Sequence, residues 1–215
     1  MKKSTLALLL AAVMAVGLGC GDARIERLRN APSFDIHDES TWVFSLVAAI
    51  EDERIFLYGG RDFGMTLYIN GNIVYFADWR WWQPRLIFPQ VMYYDLDSNG
   101  ERELAVILPA GSGTGVSMFD LHIVRGNGDL IVSLLAREIN EWMTEPLTDE
   151  FSGGVFGTIV NFEFEGSEIK ATIAVGRMYE NAATPQFFGE IQANVIFDGE
   201  SLALNNHKFV LYPLT

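Results

Sequence analysis

The chain has 215 residues, 49% hydrophobic and 13% aromatic, with 28 acidic against 15 basic side chains and a formal net charge of −13. Such a composition folds rather than staying disordered, and its acidic surface repels nucleic acid and anionic headgroups. The single cysteine excludes an internal disulfide framework.

At the amino terminus Lys2 and Lys3 precede an uncharged apolar run from Leu6 to Leu18, and Gly17-Leu18-Gly19 leads into Cys20. That run is too short to cross a bilayer as a mature helix, so residues 1–19 read as a signal peptide. The stretch resembles the lipobox of bacterial lipoproteins, departing from it at Gly17, where a larger aliphatic residue is usual. The resemblance implies cleavage before Cys20 and lipidation of its thiol. Losing Lys2 and Lys3 takes the net charge from −13 to −15. An extracytoplasmic location is then expected, with the chain held to the cell membrane by several acyl chains, where one alone would hold weakly. About 195 residues remain, enough for one domain. Residues 20–35, with Arg24, Arg27, Arg29 and Pro32, read as the lipidated cysteine and a tether, and 36–215 as a single β-rich domain.

Within that domain, the apolar run Trp42 to Ile50 is expected to be a strand, followed by Arg54 to Tyr58. Met65–Ile69 and Ile73–Ala77 flank Asn70-Gly71-Asn72, the strongest short-range hairpin signal, since both turn residues tolerate positive φ. Similar turns recur between Val124 and Leu130, Phe164 and Ile169, and Phe197 and Leu202. In the later strands Val160, Phe162 and Phe164 alternate with Asn161, Glu163 and Glu165, as expected of an antiparallel sheet with one wet face. Leu135, Ile139, Trp142 and Met143 recur at helical spacing ahead of Pro146, which predicts one helix near 134–144. The fold class is therefore mainly β (α+β), an antiparallel sheet or sandwich of hairpins with that helix on one face.

The most informative stretch is Tyr94 to Leu108. Counting from Asp95, side-chain oxygens fall at positions 1, 3, 5 and 9 as Asp95, Asp97, Asn99 and Glu103. Gly100 makes the bend, and the backbone carbonyl of Glu101 can serve at position 7. Hard oxygen donors spaced so that a loop wraps them around one point suit calcium. Position 12 is Val106 and the flanks read as strands, which excludes an EF-hand. The loop resembles those of FG-GAP and VCBS repeat proteins, in which such a segment links two strands around calcium. It occurs once, which argues against a complete propeller. Phe76-Ala77-Asp78-Trp79, Pro84 to Pro89, this loop and Gly111 to Val124 are together similar to a group of secreted or lipid-anchored proteins of Gram-positive bacteria. That resemblance implies a fold and a compartment, with no assigned activity to carry over.

Other candidates read as structure. Gly111-Ser112-Gly113-Thr114-Gly115 lacks the lysine of a P-loop and the spacing of a hydrolase elbow, and is expected to be a tight strand connection packed near the calcium loop. Asp120 and His122, two residues apart, read as a solvated strand face. Trp79, Trp81 and Trp82 form a possible binding surface for a sugar or partner, with core packing the more economical account. No catalytic constellation stands out. The expected function is that of a non-catalytic, calcium-stabilised module that binds or scaffolds a protein or glycan at the cell envelope. The alternative is an envelope hydrolase acting on glycan or peptide through carboxylates that sequence cannot place.

Overall fold

The computed structural model describes residues 26, 28, 30–35, 37–60, 63–79, 81, 87–139, 155–180, 182 and 184–213. It is mainly β. Four strands form an antiparallel meander: β1 (Ser45–Ile50), β2 (Ile55–Gly60), β3 (Phe63–Ile69) and β4 (Asn72–Phe76). Eight more form a second sheet: β5 (Gln90–Tyr94), β6 (Glu103–Gly113), β7 (Val116–Val124), β8 (Leu130–Leu134), β9 (Val155–Glu165), β10 (Glu168–Arg177), β11 (Gln186–Phe197) and β12 (Leu202–Leu211). Its order is β12-β11-β10-β9-β7-β6-β5, with β8 paired to the other end of β7. Every pairing between these strands is antiparallel except a short parallel contact of β7 with β9, Ser117 opposite Ile159 and Met118 opposite Val160. Neither sheet closes into a barrel or propeller among the described residues.

The hairpins expected from the turn residues are present. Between β3 and β4, Asn70 (φ 48°) and Gly71 (φ 86°) occupy the two left-handed positions, the geometry whose twist matches the flanking strands. The stretch from Trp42 divides instead of forming one strand. Asp38 accepts from the Ser40 amide at 3.0 Å and starts a 3₁₀ turn, Glu39–Trp42, before β1 begins at Ser45.

Strands β6 and β7 carry the architecture because both of their faces are buried. Leu104, Val106, Leu108 and Val124 pack with Ile55, Leu57, Met65 and Leu67 of the meander. Ala105, Ile107, Leu121 and Ile123 point the other way, into a core with Val160, Phe162, Ile173 and Ile191. This double burial explains why Leu104 to Leu108 is continuously apolar, whereas β9 alternates.

Three expectations need correction or lie beyond view. The segment assigned to the tether joins the fold by Leu28, which is buried with Tyr58 and Tyr68 on the outer face of the meander. Ser33 bridges Leu46, and Phe34 packs edge-on against Trp81, so apolar side chains anchor this strap before Asp35 is reached. The helix expected near 134–144 does not start as one: Leu134 ends β8 and Leu135 is extended (φ −88°, ψ 133°). A 3₁₀ turn, Ala136–Glu138, and Ile139 follow, and 140–144, with Trp142 and Met143, lie outside the described residues. No helix of seven residues or more occurs among the described residues. The glycine-rich turn at Thr114–Gly115 ends β6 at the extremity opposite the acidic loop, about 35 Å away at ~3.3 Å per residue, and not beside it.

Candidate functional site

The acidic loop leaves β5 at Tyr94 and re-enters the sheet at Glu103, and these two residues face each other as the last rung of the β5–β6 ladder. Ser98 (φ 61°) and Gly100 (φ 92°) take left-handed conformations that turn the chain back on itself. Backbone amides then find side-chain oxygens. Asp95 accepts from the Asn99 and Gly100 amides, each at 3.0 Å. Asp97 accepts from the Asn99 amide at 3.1 Å and from the Asn99 side-chain amide at 2.8 Å. Asn99 Oδ1 accepts from the Glu101 amide at 2.7 Å, and Glu103 Oε2 from the Leu96 amide at 3.0 Å.

One carboxylate oxygen from each of Asp95, Asp97 and Glu103 lies within 4.8 Å of the other two. Glu103 is only 5% exposed, because it begins a strand that is buried throughout its first half. Burial pushes its carboxyl above the ordinary range, the Leu96 amide opposes this, and the charges of Asp97 and Asp95 raise it further. Among the described residues no basic side chain pairs with these three acids. The loop's own arginine is turned away: Arg102 makes a bidentate contact with Glu53 at 2.6 and 3.0 Å and lies over the Tyr93 ring at 4.4 Å. The carboxylates of Asp95, Asp97 and Glu103 are the groups that could hold a hard, oxygen-loving cation.

The loop is seated on the rest of the domain. Leu96 packs into the second core. Gly199, in the turn between β11 and β12, approaches so closely that a Cβ there would lie 2.8 Å from Asp97 Oδ2. Of the expected ligands, Asp95, Asp97 and Glu103 converge, while Asn99 is exposed and acts through its bonds to Asp97 and Glu101. The Glu101 side chain is exposed, leaving its backbone carbonyl as its possible contribution.

The remaining candidates fare differently. Cys20 and Trp82 lie outside the described residues. Trp79 and Trp81 are 4% and 3% exposed, which removes them from any flat aromatic binding face. Trp79 stacks on Phe76 and His122 with ring centroids 3.9 and 4.2 Å away, and Trp81 donates its Nε1–H to the Ile87 carbonyl at 3.2 Å. Both fill space between the meander and β6–β7, where large apolar rings gain most from leaving water.

Asp120 and His122 are not on a solvated face either. They lie on the side of β7 shared with Val124, and His122 is 3% exposed. Its Nδ1 is 2.7 Å from Ser133 Oγ on β8, while Nε2 is buried without a hydrogen-bond partner among the described residues. Burial pushes the imidazole pKa down to about 3, so the ring is neutral at pH 7. Leaving one nitrogen unmet costs about 1–3 kcal/mol. Asp120 accepts from the Ala136 amide at 2.8 Å, and burial pushes its carboxyl up. Period-two spacing placed this pair on one face correctly. Which neighbours cover that face is decided by β8 and Trp79, and no local signal announces it.

No family model matches this chain, and no curated protein or solved structure shows significant similarity to it.

Proposed function

We propose that the protein is a lipid-anchored, extracytoplasmic β-rich module whose Asp95–Glu103 loop is a calcium clamp, and that it binds or scaffolds a protein or glycan at the cell envelope. One observation carries the clamp: the buried carboxylate of Glu103, with no basic partner among the described residues, lies within 4.8 Å of those of Asp95 and Asp97. Three formal negative charges repel one another, and a divalent cation removes that repulsion while completing its shell with water and the Glu101 carbonyl. Lipidation at Cys20 rests on the sequence around it, and the acidic surface supports an affinity for divalent cations over nucleic acid.

The clamp is structural rather than catalytic in this reading, because the loop's backbone amides are engaged with its own side-chain oxygens. Calorimetry on the protein should show saturable calcium binding with a dissociation constant on the order of 10⁻⁴ to 10⁻³ M, the range of extracellular modules. An Asp95→Ala/Asp97→Ala variant should give no such heat. Identical curves for the two proteins would sink the proposal. The hydrolase alternative is favoured by one observation, that Asp78 and Asp120 line a common cavity.

A further inference from the structure

A cavity of about 640 Å³ lies along β7, lined by Asp78, Trp79, Asp120, His122, Ser133 and Arg137. Its volume is that of a small-molecule site. Met118, Leu130 and Leu135 add apolar walls. Asp78, Leu130 and Arg137 are exposed and mark its mouth, whereas Asp120 is half-buried and His122 fully buried. The cavity is separate from the acidic loop. Asp120 sits opposite Leu108, five residues along β6 from Glu103, about 16 Å at ~3.3 Å per residue.

Two of its polar groups have unused capacity. His122 Nε2 has no partner among the described residues, and in the tautomer whose Nδ1–H donates to Ser133 Oγ it is a buried, unused acceptor. Asp120 uses Oδ1 for the Ala136 amide, and no ion pair forms at Asp120 or Asp78 among the described residues. Arg137 forms no salt bridge with Asp120, although against the rise that burial imposes its charge lowers that carboxyl somewhat, and its guanidinium reaches Glu138 at 3.8 Å. Two carboxylates against one arginine, in a chain of net charge −13, disfavour an anion and favour a cation. The lining suits an organic cation better than a metal ion. Among the described residues, three metal-ligating atoms converge only in the acidic loop.

We propose that this cavity binds a small organic cation bearing N–H donors, an amine or amidine with an apolar body, through the carboxylate of Asp120, beside the buried ring of His122. Asp120 and His122 stand two residues apart on one face of β7, about 6.6 Å along the strand, so a cationic group held by Asp120 lies beside the imidazole. The apolar body lies against Met118, Leu130 and Leu135, and Asp78 attracts the charge at the mouth. The site is independent of the calcium reading, and tests of the two are kept apart by holding calcium in excess.

Benzamidine, benzamide and benzoate have nearly the same shape and carry one positive, no and one negative charge, so they separate charge from fit. The chain has three histidines, which makes His122 resolvable by ¹⁵N NMR of the histidine-labelled full chain in detergent micelles. Benzamidine should shift the His122 ring nitrogens saturably and bind at least tenfold more tightly than benzamide, with benzoate weaker still. Asp120→Asn keeps an oxygen for the Ala136 amide and should weaken benzamidine at least tenfold. Asp78→Asn, at an exposed position that packing does not depend on, should weaken it about threefold. The proposal is overturned if benzamide or benzoate binds as well as benzamidine, if both variants bind it like the parent, or if His122 shows no saturable shift.

Discussion

Glu103 and His122 are both polar residues that a strand has taken out of water, and their electrostatics run in opposite senses. Glu103 is a buried acid near two other acids, so its environment favours adding positive charge, whether proton or metal. His122 is a buried base beside a hydroxyl, so its environment forbids the charged form. The consequence for stability has a definite sign. A folded-state pKa of about 3 lies below the ordinary 6.5, so the neutral ring's contribution is complete above pH 6.5 and is lost as the pH falls toward 3. Between pH 7 and pH 5 the linkage amounts to about 2 kcal/mol. Denaturant unfolding at those two pH values should show this loss in the parent and its absence in His122→Phe, whose baseline stability is lower. Equal slopes would place the imidazole in contact with water. Asp120, whose carboxyl is pushed up, acts in the opposite direction at lower pH.

At the scale of elements, the acidic loop is held by two hairpins, its own and the β11–β12 turn. Gly199 is at φ +96° and meets Asp97, whereas Gly71 is at φ +86° with nothing within 4 Å of its would-be Cβ. Alanine at either position meets a similar backbone penalty of about 1 kcal/mol. Only at Gly199 does the methyl group also collide with Asp97 of the proposed clamp. Calcium titration should therefore show Gly199→Ala weakened several-fold and Gly71→Ala binding like the parent, although both lower the melting temperature. If the two variants bind calcium equally, the turn does not shape the loop.

Across the whole molecule, β6 and β7 join the two cores through opposite faces of the same strands. Val106 faces the meander and Ile107 the second core. Truncating Val106 to alanine should cost about 1–3 kcal/mol and Ile107 about 2–5 kcal/mol. Each should lower one common transition, with tryptophan fluorescence, to which Trp79 and Trp81 on the meander side contribute, coinciding with far-ultraviolet dichroism. Two separated transitions would mean that the sheets unfold independently. The same sharing links the two candidate sites, since β6 starts at the clamp and runs beside the strand that carries Asp120 and His122.

What the amino-acid sequence determined by itself was local. Asn70-Gly71 requires left-handed backbone and therefore a tight hairpin, and alternation in β9 to β11 requires a sheet with two unlike faces. The order of short oxygen side chains from Asp95 to Glu103, with a glycine among them, requires a loop closed on its own oxygens. Tertiary structure decided everything that depends on what covers a face. It buried Glu103 and so left a charge without a partner, turned Trp79 and Trp81 inward, drew Leu28 and Phe34 into the fold, and enclosed Asp120 and His122 in a cavity. Spacing along a strand assigns a side chain to one of two faces. Whether that face meets water, a second sheet or a cavity depends on strands far away in the chain, and those contacts have no signature within the strand itself.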